Sequence, residues 1–231
     1  MTLKLENVAV RRGIGPVVHD VSFQVGPGQV ATLVGPNGAG KTSLLEAISG
    51  ILRTYDGLIA SDGTDLRPAS PRSRSRNGIQ HVEQGRAIFP SLTVRETMRL
   101  ATKDSSAIDR AIGLFPELHK RLDSPTALLS GGEQQMVVLA RSILAEPKYL
   151  LIDEMSLGLA PVVFRRLLPV IRQIADSGVG VVLVEQFAHL ALNIADEALV
   201  IANGAVTFQG DPQELLADET LLHNAYLGVA S

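Results

Sequence analysis

The stretch Val30-Ala31-Thr32-Leu33-Val34 is a near-continuous apolar run that passes directly into Gly35-Pro36-Asn37-Gly38-Ala39-Gly40, and residues 41–49 then carry helix-spaced apolar side chains. A buried strand handed through a tight glycine turn to a helix is the start of a βαβ unit. Such units build mostly parallel sheets with helices packed on them. The chain is therefore read as α/β.

The rest of the sequence extends that pattern. Strands are expected at 149–153, 179–185, 198–201 and 205–209, with helices at 162–176 and 188–195 between them. Residues 3–34 read as short alternating strands with turns such as Gly26-Pro27-Gly28, and another strand is expected at 78–82. The middle differs: 93–101, 107–115 and 131–145 have helical spacing, punctuated by Pro116 and Pro125. The expected organisation is one domain, with a core from 1–85 and 146–231 and a helical piece, 86–145, inserted in it. The polar run Pro71-Arg72-Ser73-Arg74-Ser75-Arg76 reads as an exposed, mobile connection.

Composition narrows the function. At 231 residues, 45% hydrophobic and 19% charged, the chain can bury a sizeable core and is too apolar for disorder. A net charge of −3 argues against nucleic acid as a partner. The absence of cysteine excludes disulfides, thiolate catalysis and cysteine–zinc sites. The histidines (His19, His81, His119, His189, His223) form no HxxxH pair and are read as ordinary residues. The segment MTLKLENVAV lacks the apolar run of a signal peptide, and no stretch reaches the ~18 apolar residues of a membrane helix. The expected location is cytoplasmic unless a partner brings the chain to a membrane.

Gly35-Pro36-Asn37-Gly38-Ala39-Gly40-Lys41-Thr42 fits G-x-x-x-x-G-K-[ST]. Small residues let the backbone wrap phosphates closely, so that amide N–H groups point at the anion. The helix that follows, with Ser43 in its first turn, adds the positive end of its dipole. Lys41 is placed to neutralise β- and γ-phosphate oxygens, and the Thr42 hydroxyl to ligate Mg²⁺. The expected ligand is a nucleoside triphosphate.

Leu150-Leu151-Ile152-Asp153-Glu154 is an apolar strand ending in two acids. Beside a phosphate loop, Asp153 is positioned to hold Mg²⁺ directly or through water. Glu154 lies one step further, at the γ-phosphate, where a carboxylate can orient or deprotonate the attacking water.

Leu129-Ser130-Gly131-Gly132-Glu133-Gln134-Gln135 opens a helix behind a serine N-cap, a second helix start suited to an anion. This LSGGEQQ segment, in a chain that also carries the phosphate loop and the acid-ended strand, resembles the signature motif of ABC ATPases, and the likeness covers essentially the whole chain. It implies a P-loop NTPase fold of the ABC type: a RecA-like core, an N-terminal antiparallel β subdomain and an inserted α-helical subdomain. It also implies ATP and Mg²⁺ as ligand and cofactor. Gln84 falls at the Q-loop glutamine, near Mg²⁺ and water, and residues 156–161 fall at the D-loop. Gln186 takes the switch-histidine position, next to Glu154 and Lys41 in catalysis. Arg12 stands where the family stacks an aromatic on adenine, and Val18 is expected to add an apolar contact. Ser130, Gly131, Gly132 and Glu133 are implied to reach the ATP of another subunit in a head-to-tail pair.

The segments GRAIFPSLTV (85–94), SGGEQQM (130–136), SLGLAP (156–161), LVEQ (183–186) and AYLG (225–228) together resemble the LivF-type ATPase of branched-chain amino acid importers. The implied partners are a paralogous ATPase, as a heterodimer or in isolation a homodimer, and membrane permeases docking near Arg86 and Phe89. A soluble substrate-binding protein completes the set, and the implied location is the cytoplasmic face of the membrane. Departures from the wider family are Ala160 at the D-loop aspartate, Met155 after Glu154 and Glu83 before Gln84. Other readings are an ATPase for a related cargo such as urea or amides, a translation or repair ATPase, and a nucleotide-binding regulatory module.

Overall fold

The computed structural model describes residues 1–85 and 87–228. In chain order it has β1 (Leu3–Arg12), β2 (Gly15–Val25), β3 (Val30–Val34), α1 (Lys41–Ser49), β4 (Thr54–Ser61), β5 (Thr64–Asp65), α2 (Pro71–Arg76) and β6 (Ile79–Val82). There follow α3 (Val94–Arg99), α4 (Ser105–Gly113), α5 (Gly131–Ile143), β7 (Tyr149–Asp153), α6 (Pro161–Asp176) and β8 (Gly180–Val184). The chain continues through α7 (Ala188–Leu192), β9 (Glu197–Ala202), β10 (Ala205–Gly210), α8 (Pro212–Ala217) and α9 (Glu219–Leu227).

Two sheets share the core. One has the order β2-β1-β4-β5 and is antiparallel throughout; the other runs β10-β9-β3-β8-β7-β6. In the second sheet β9, β3, β8, β7 and β6 are parallel, and only β10 is antiparallel. The parallel strands β3, β7 and β8 are buried at every position, which is why they read as apolar runs and not as alternations. Their direction brings the carboxyl ends of β3, β6, β7 and β8 to one edge, where open α/β sheets bind ligands.

Between β6 and β7 the chain is helical. Val94 and Met98 of α3, Ile108 and Ile112 of α4, and Met136 and Val137 of α5 belong to one buried cluster, shared with Phe164 and Leu167 of α6. Thr93 closes a capping box with Glu96 at the start of α3, and Ser130 does the same with Glu133 at the start of α5. Met155, one of the family departures, is buried in this cluster as an apolar filler. Nothing in the structure explains Glu83.

The segment 71–76 corrects the expectation of a mobile connection. It is a helix, entered through Pro71 at its first turn, with the Ser70 side chain accepting from the Ser73 N–H. Arg74 within it is 3% exposed. Its Nη1 donates to the carbonyls of Ala47 (2.6 Å) and Ile48 (2.8 Å), and its Nε donates to that of Ala69 (3.1 Å). A cation at the last carbonyls of α1 meets the negative end of that helix. The basic run is thus divided: Arg72 and Arg76 face solvent, and Arg74 anchors the far end of the helix that begins at the phosphate loop.

Candidate nucleotide site

The loop between β3 and α1 is held by glycines that no other residue could replace without movement. Gly35 (φ 145°) and Gly40 (φ 102°) occupy the left-handed side of backbone space. A Cβ on Gly35 would collide with the Ile201 carbonyl oxygen of β9, and one on Gly40 with the Val17 carbonyl oxygen of β2. The loop is therefore pressed between the two sheets. Gly40 caps α1 with no side-chain hydrogen bond. The amide N–H groups of that first turn thus meet no capping side chain, and an anion can take the cap's place.

Lys41 points back into its own loop. Its Nζ donates to the carbonyls of Gly35 (2.8 Å) and Pro36 (2.9 Å), and only 4% of the residue is exposed. Burial lowers its pKa from the ordinary lysine value, while the nearby Glu154 and Asp153 carboxylates pull the other way. The Thr42 hydroxyl donates to Asp153 Oδ1 across 3.2 Å, joining the start of α1 to the end of β7. A cavity of about 340 Å³ lies on this edge, lined by Arg12, Val17, the residues from Gly38 to Ser43, Gln84 and Glu154.

Glu154 leaves β7 with φ 43°, a left-handed conformation unusual for a residue with a side chain. Its N–H donates to Val184 O at 2.9 Å. Its Oε2 accepts from two amides, Gln84 Nε2 and Gln186 Nε2, each at 2.9 Å. The residues after β6, β7 and β8 thus converge on one oxygen.

The donor set suits a divalent cation. Asp153 is 1% exposed, and burial raises its carboxyl to about 6, with Glu154 and Glu46 adding to the rise and the Thr42 hydrogen bond opposing it. A buried carboxylate next to a hydroxyl, with Lys41 as a nearby counter-charge, is a site at which a hard cation is welcome. Among the described residues no group of three or more His, Cys, Asp or Glu forms a metal cage. A cation there would take its other ligands from phosphate oxygens and water.

This burial has a consequence for stability. Asp153 is raised to about 6 and the buried Glu185 to about 7, both chiefly by desolvation. Between the unfolded values near 4 and these folded values, the folded chain binds more protons than the unfolded chain. Stability from these groups is therefore full below about pH 4 and is lost as pH rises through 6 and 7, by up to about 1.4 kcal/mol per unit and per group. Asp153→Asn should accordingly raise the unfolding midpoint of the nucleotide-free chain at pH 7.5 by about 3–8 °C, and by about half as much at pH 5. Thermal scans at the two pH values check this; an equal shift at both would refute it.

Of the remaining expected residues, Val18 lies away from the cavity. Val18 is fully buried, its Cγ2 against Gly40, and Val17 lines the cavity in its place. Asp20 (φ 51°) sits where the β1–β2 register shifts, between Val8↔Val21 and Val10↔Val18, and this breaks the two-residue alternation counted back from Val21. Arg12 reaches the cavity edge and pairs with Glu46 of α1. Ser130 is exposed, and none of Ser130, Gly131, Gly132 or Glu133 lines the cavity. Gly132 packs on α6, where a Cβ would fall 2.5 Å from Val163 Cγ1. Ala160 starts α6 without a side-chain cap, at a position where an aspartate would supply one. Arg86 lies outside the described residues. Phe89 is half exposed, with the Arg141 guanidinium 5.5 Å above its ring. Glu46, Val17 and Glu185 were not singled out from the sequence; only Glu185, an acid ending an apolar run, left a signal there.

Residues 18–156 match the ABC transporter family. A high-affinity branched-chain amino acid transport ATP-binding protein, BraG of Pseudomonas aeruginosa, is 37% identical over 98% of this chain and 99% of its own length. The lipopolysaccharide export system ATP-binding protein LptB of Escherichia coli is 34% identical over 98% and 97%. A probable branched-chain amino acid transport ATP-binding protein, LivF of Archaeoglobus fulgidus, is 33% identical over 88% and 89%. A solved structure of an ATP-binding subunit of an ABC transporter superposes with a TM-score of 0.83, at 26% identity, over the whole of both chains. Family, full-length relatives and fold agree: this chain belongs to the ABC transporter family, as an ATP-binding subunit that hydrolyses ATP.

Proposed function

We propose that this chain is one of two ATPase subunits driving an importer of branched-chain amino acids, with each ATP held between the phosphate loop of one subunit and the start of α5 of the other. The observation that carries the two-subunit reading is the separation of these features. The cavity at residues 38–43 includes none of Ser130, Gly131, Gly132 or Glu133, while Ser130 stands exposed on a capped helix start. A phosphate-binding helix end turned away from its own phosphate loop has a use only toward another chain. A paralogous ATPase is the natural second subunit, and a second copy of this chain can stand in for it.

In the assembled site the amides of residues 35–43 and the Lys41 ammonium bind the triphosphate. Thr42 and Asp153 would hold Mg²⁺, with Gln84 at the edge; bound there, the cation supplies neutralising charge to the β- and γ-phosphate oxygens. Glu154 takes a proton from the attacking water as its oxygen bonds to the γ-phosphorus and the bond to ADP breaks. Gln186 and Gln84 hold that carboxylate in line. Arg12, steadied by Glu46, offers a guanidinium face to the base, and Val17 an apolar one.

No helix among the described residues is long and apolar enough to cross a membrane. Membrane attachment is assigned to permeases that dock beside Gln84, near Arg86 and Phe89, on the cytoplasmic face. The cargo reading rests on the five motif segments and on the likeness to BraG. Reconstitution with the membrane subunits and a binding protein tests it. Leucine-loaded binding protein should stimulate phosphate release and leucine uptake. Stimulation by a different cargo alone would overturn the amino-acid assignment, and ATP bound without turnover in the full assembly would overturn the motor.

A further inference from the structure

Glu185 follows β8 directly and is wholly buried, with no exposed surface. Among the described residues no lysine or arginine pairs with it; its partners there are three donors from two segments. Its Oε1 accepts the Ser156 N–H at 3.1 Å. Its Oε2 accepts the Ser156 hydroxyl in a short hydrogen bond and the Gln186 N–H at 3.3 Å. A buried carboxylate satisfied only by neutral donors is expensive to keep, and burial indeed pushes its pKa up to about 7. A glutamine at this place would spare the fold the cost of a buried charge while keeping an acceptor for the Ser156 donors. Keeping the acid suggests a use.

The connections of Glu185 form a closed ring. In one direction Ser156 leads back through Met155 to Glu154, whose left-handed backbone begins a turn closed by Leu157 N–H to Glu154 O at 3.1 Å. In the other, Gln186 is the next residue in the chain, and its side-chain amide donates to Glu154 Oε2 at 2.9 Å. The backbone and the side chain of Glu154 are thus both fixed through the same buried carboxylate. Leu157, on the outer side of the turn, is half exposed.

We propose that Glu185 is a positioning residue for ATP hydrolysis: by clamping the buried Ser156 to the start of the segment carrying Gln186, it sets Glu154 and Gln186 as one unit against the attacking water, and it carries displacements of the more exposed 157–161 turn to both side chains. This rests on the ATPase reading and deepens it. Glu185 is fully buried and does not line the phosphate-loop cavity. Its effect belongs in the turnover step and not in ATP affinity.

The test uses the full chain, three single variants and one double variant. Ser156→Ala removes the hydroxyl donor and keeps the N–H; Glu185→Gln keeps the shape and removes one acceptor; Ser156→Thr keeps the hydroxyl. Turnover is measured as phosphate release per bound nucleotide, so that misfolded protein does not count. Ser156→Ala and Glu185→Gln should each lower kcat about tenfold, with ATP KM within about twofold of wild type. Ser156→Thr should restore turnover, and the Ser156→Ala/Glu185→Gln double variant should lose no more than the worse single one. Wild-type turnover in both single variants, additive losses in the double variant, or a matching loss of ATP affinity would each overturn the proposal. A wild-type assembly, complete with its second subunit and permeases, that binds ATP and releases no phosphate would overturn the ATPase reading, and this inference with it.

Discussion

Replacing Glu154 with glutamine should cut ATP turnover at least about 100-fold and leave ATP affinity within about twofold of wild type. The amide has the volume of the carboxylate, and its oxygen can still accept from Gln84 and Gln186, both now held at 2.9 Å. The left-handed turn at residue 154 and the Val184 contact involve only the backbone and should survive. What is lost is the ability to accept a proton as water attacks. In the proposed site ATP binding rests instead on the loop amides and Lys41, which the substitution does not touch. Phosphate release and calorimetric titration with ATP, run on the same preparation, separate the two quantities. Undiminished turnover would remove Glu154 from the role of general base.

The second large effect is expected at Lys41. Lys41→Ala should weaken ATP binding at least about 100-fold, roughly 2.7 kcal/mol. The side chain is nearly buried within its own loop, and Asp153 and Glu154 lie close enough to raise its pKa against the pull of burial. Deleting it leaves the Gly35 and Pro36 carbonyls without their donor and the two acids without their nearest cation. A triphosphate would then enter a site of net negative charge. Titration with ATP reads the loss directly, and an unchanged dissociation constant would refute the assignment. Lys41→Arg should not repair it, because the guanidinium fork is too broad for a loop fitted around one ammonium.

Much of this arrangement was legible in the sequence, for identifiable reasons. β3, α1 and β7 fall where the apolar runs place them, at Val30–Val34, Lys41–Ser49 and Tyr149–Asp153. Strands buried on both faces leave unbroken apolar text, and the glycine loop marks the junction. Family likeness assigned Gln84, Glu154 and Gln186 to one site without their contact on a shared oxygen, and parallel pairing accounts for it physically, because β6, β7 and β8 end on one side. The misread places depend on contacts across the chain. Arg74 sits in a run that is polar throughout, and only packing against the end of α1 separates it from Arg72 and Arg76. Ser70 and Pro71 did carry a local helix-start signal there. Val17 and Val18 exchange roles because of a bulge at Asp20, which alternation cannot register. Arg12 finds Glu46 thirty-four positions away, at a distance no pattern reveals.

The exposed, capped start of α5 has a genetic consequence. In a pair made of two copies of this chain, the proposed arrangement gives each site its loop from one copy and its helix start from the other. A chain damaged at Lys41 still offers an intact Ser130 to its neighbour, and a chain damaged at Ser130 still offers an intact loop. Two inactive alleles of these kinds, mixed in one assembly, rebuild one whole site and one doubly broken site. Defects in the two places therefore complement each other in trans, whereas two defects within one phosphate loop never do.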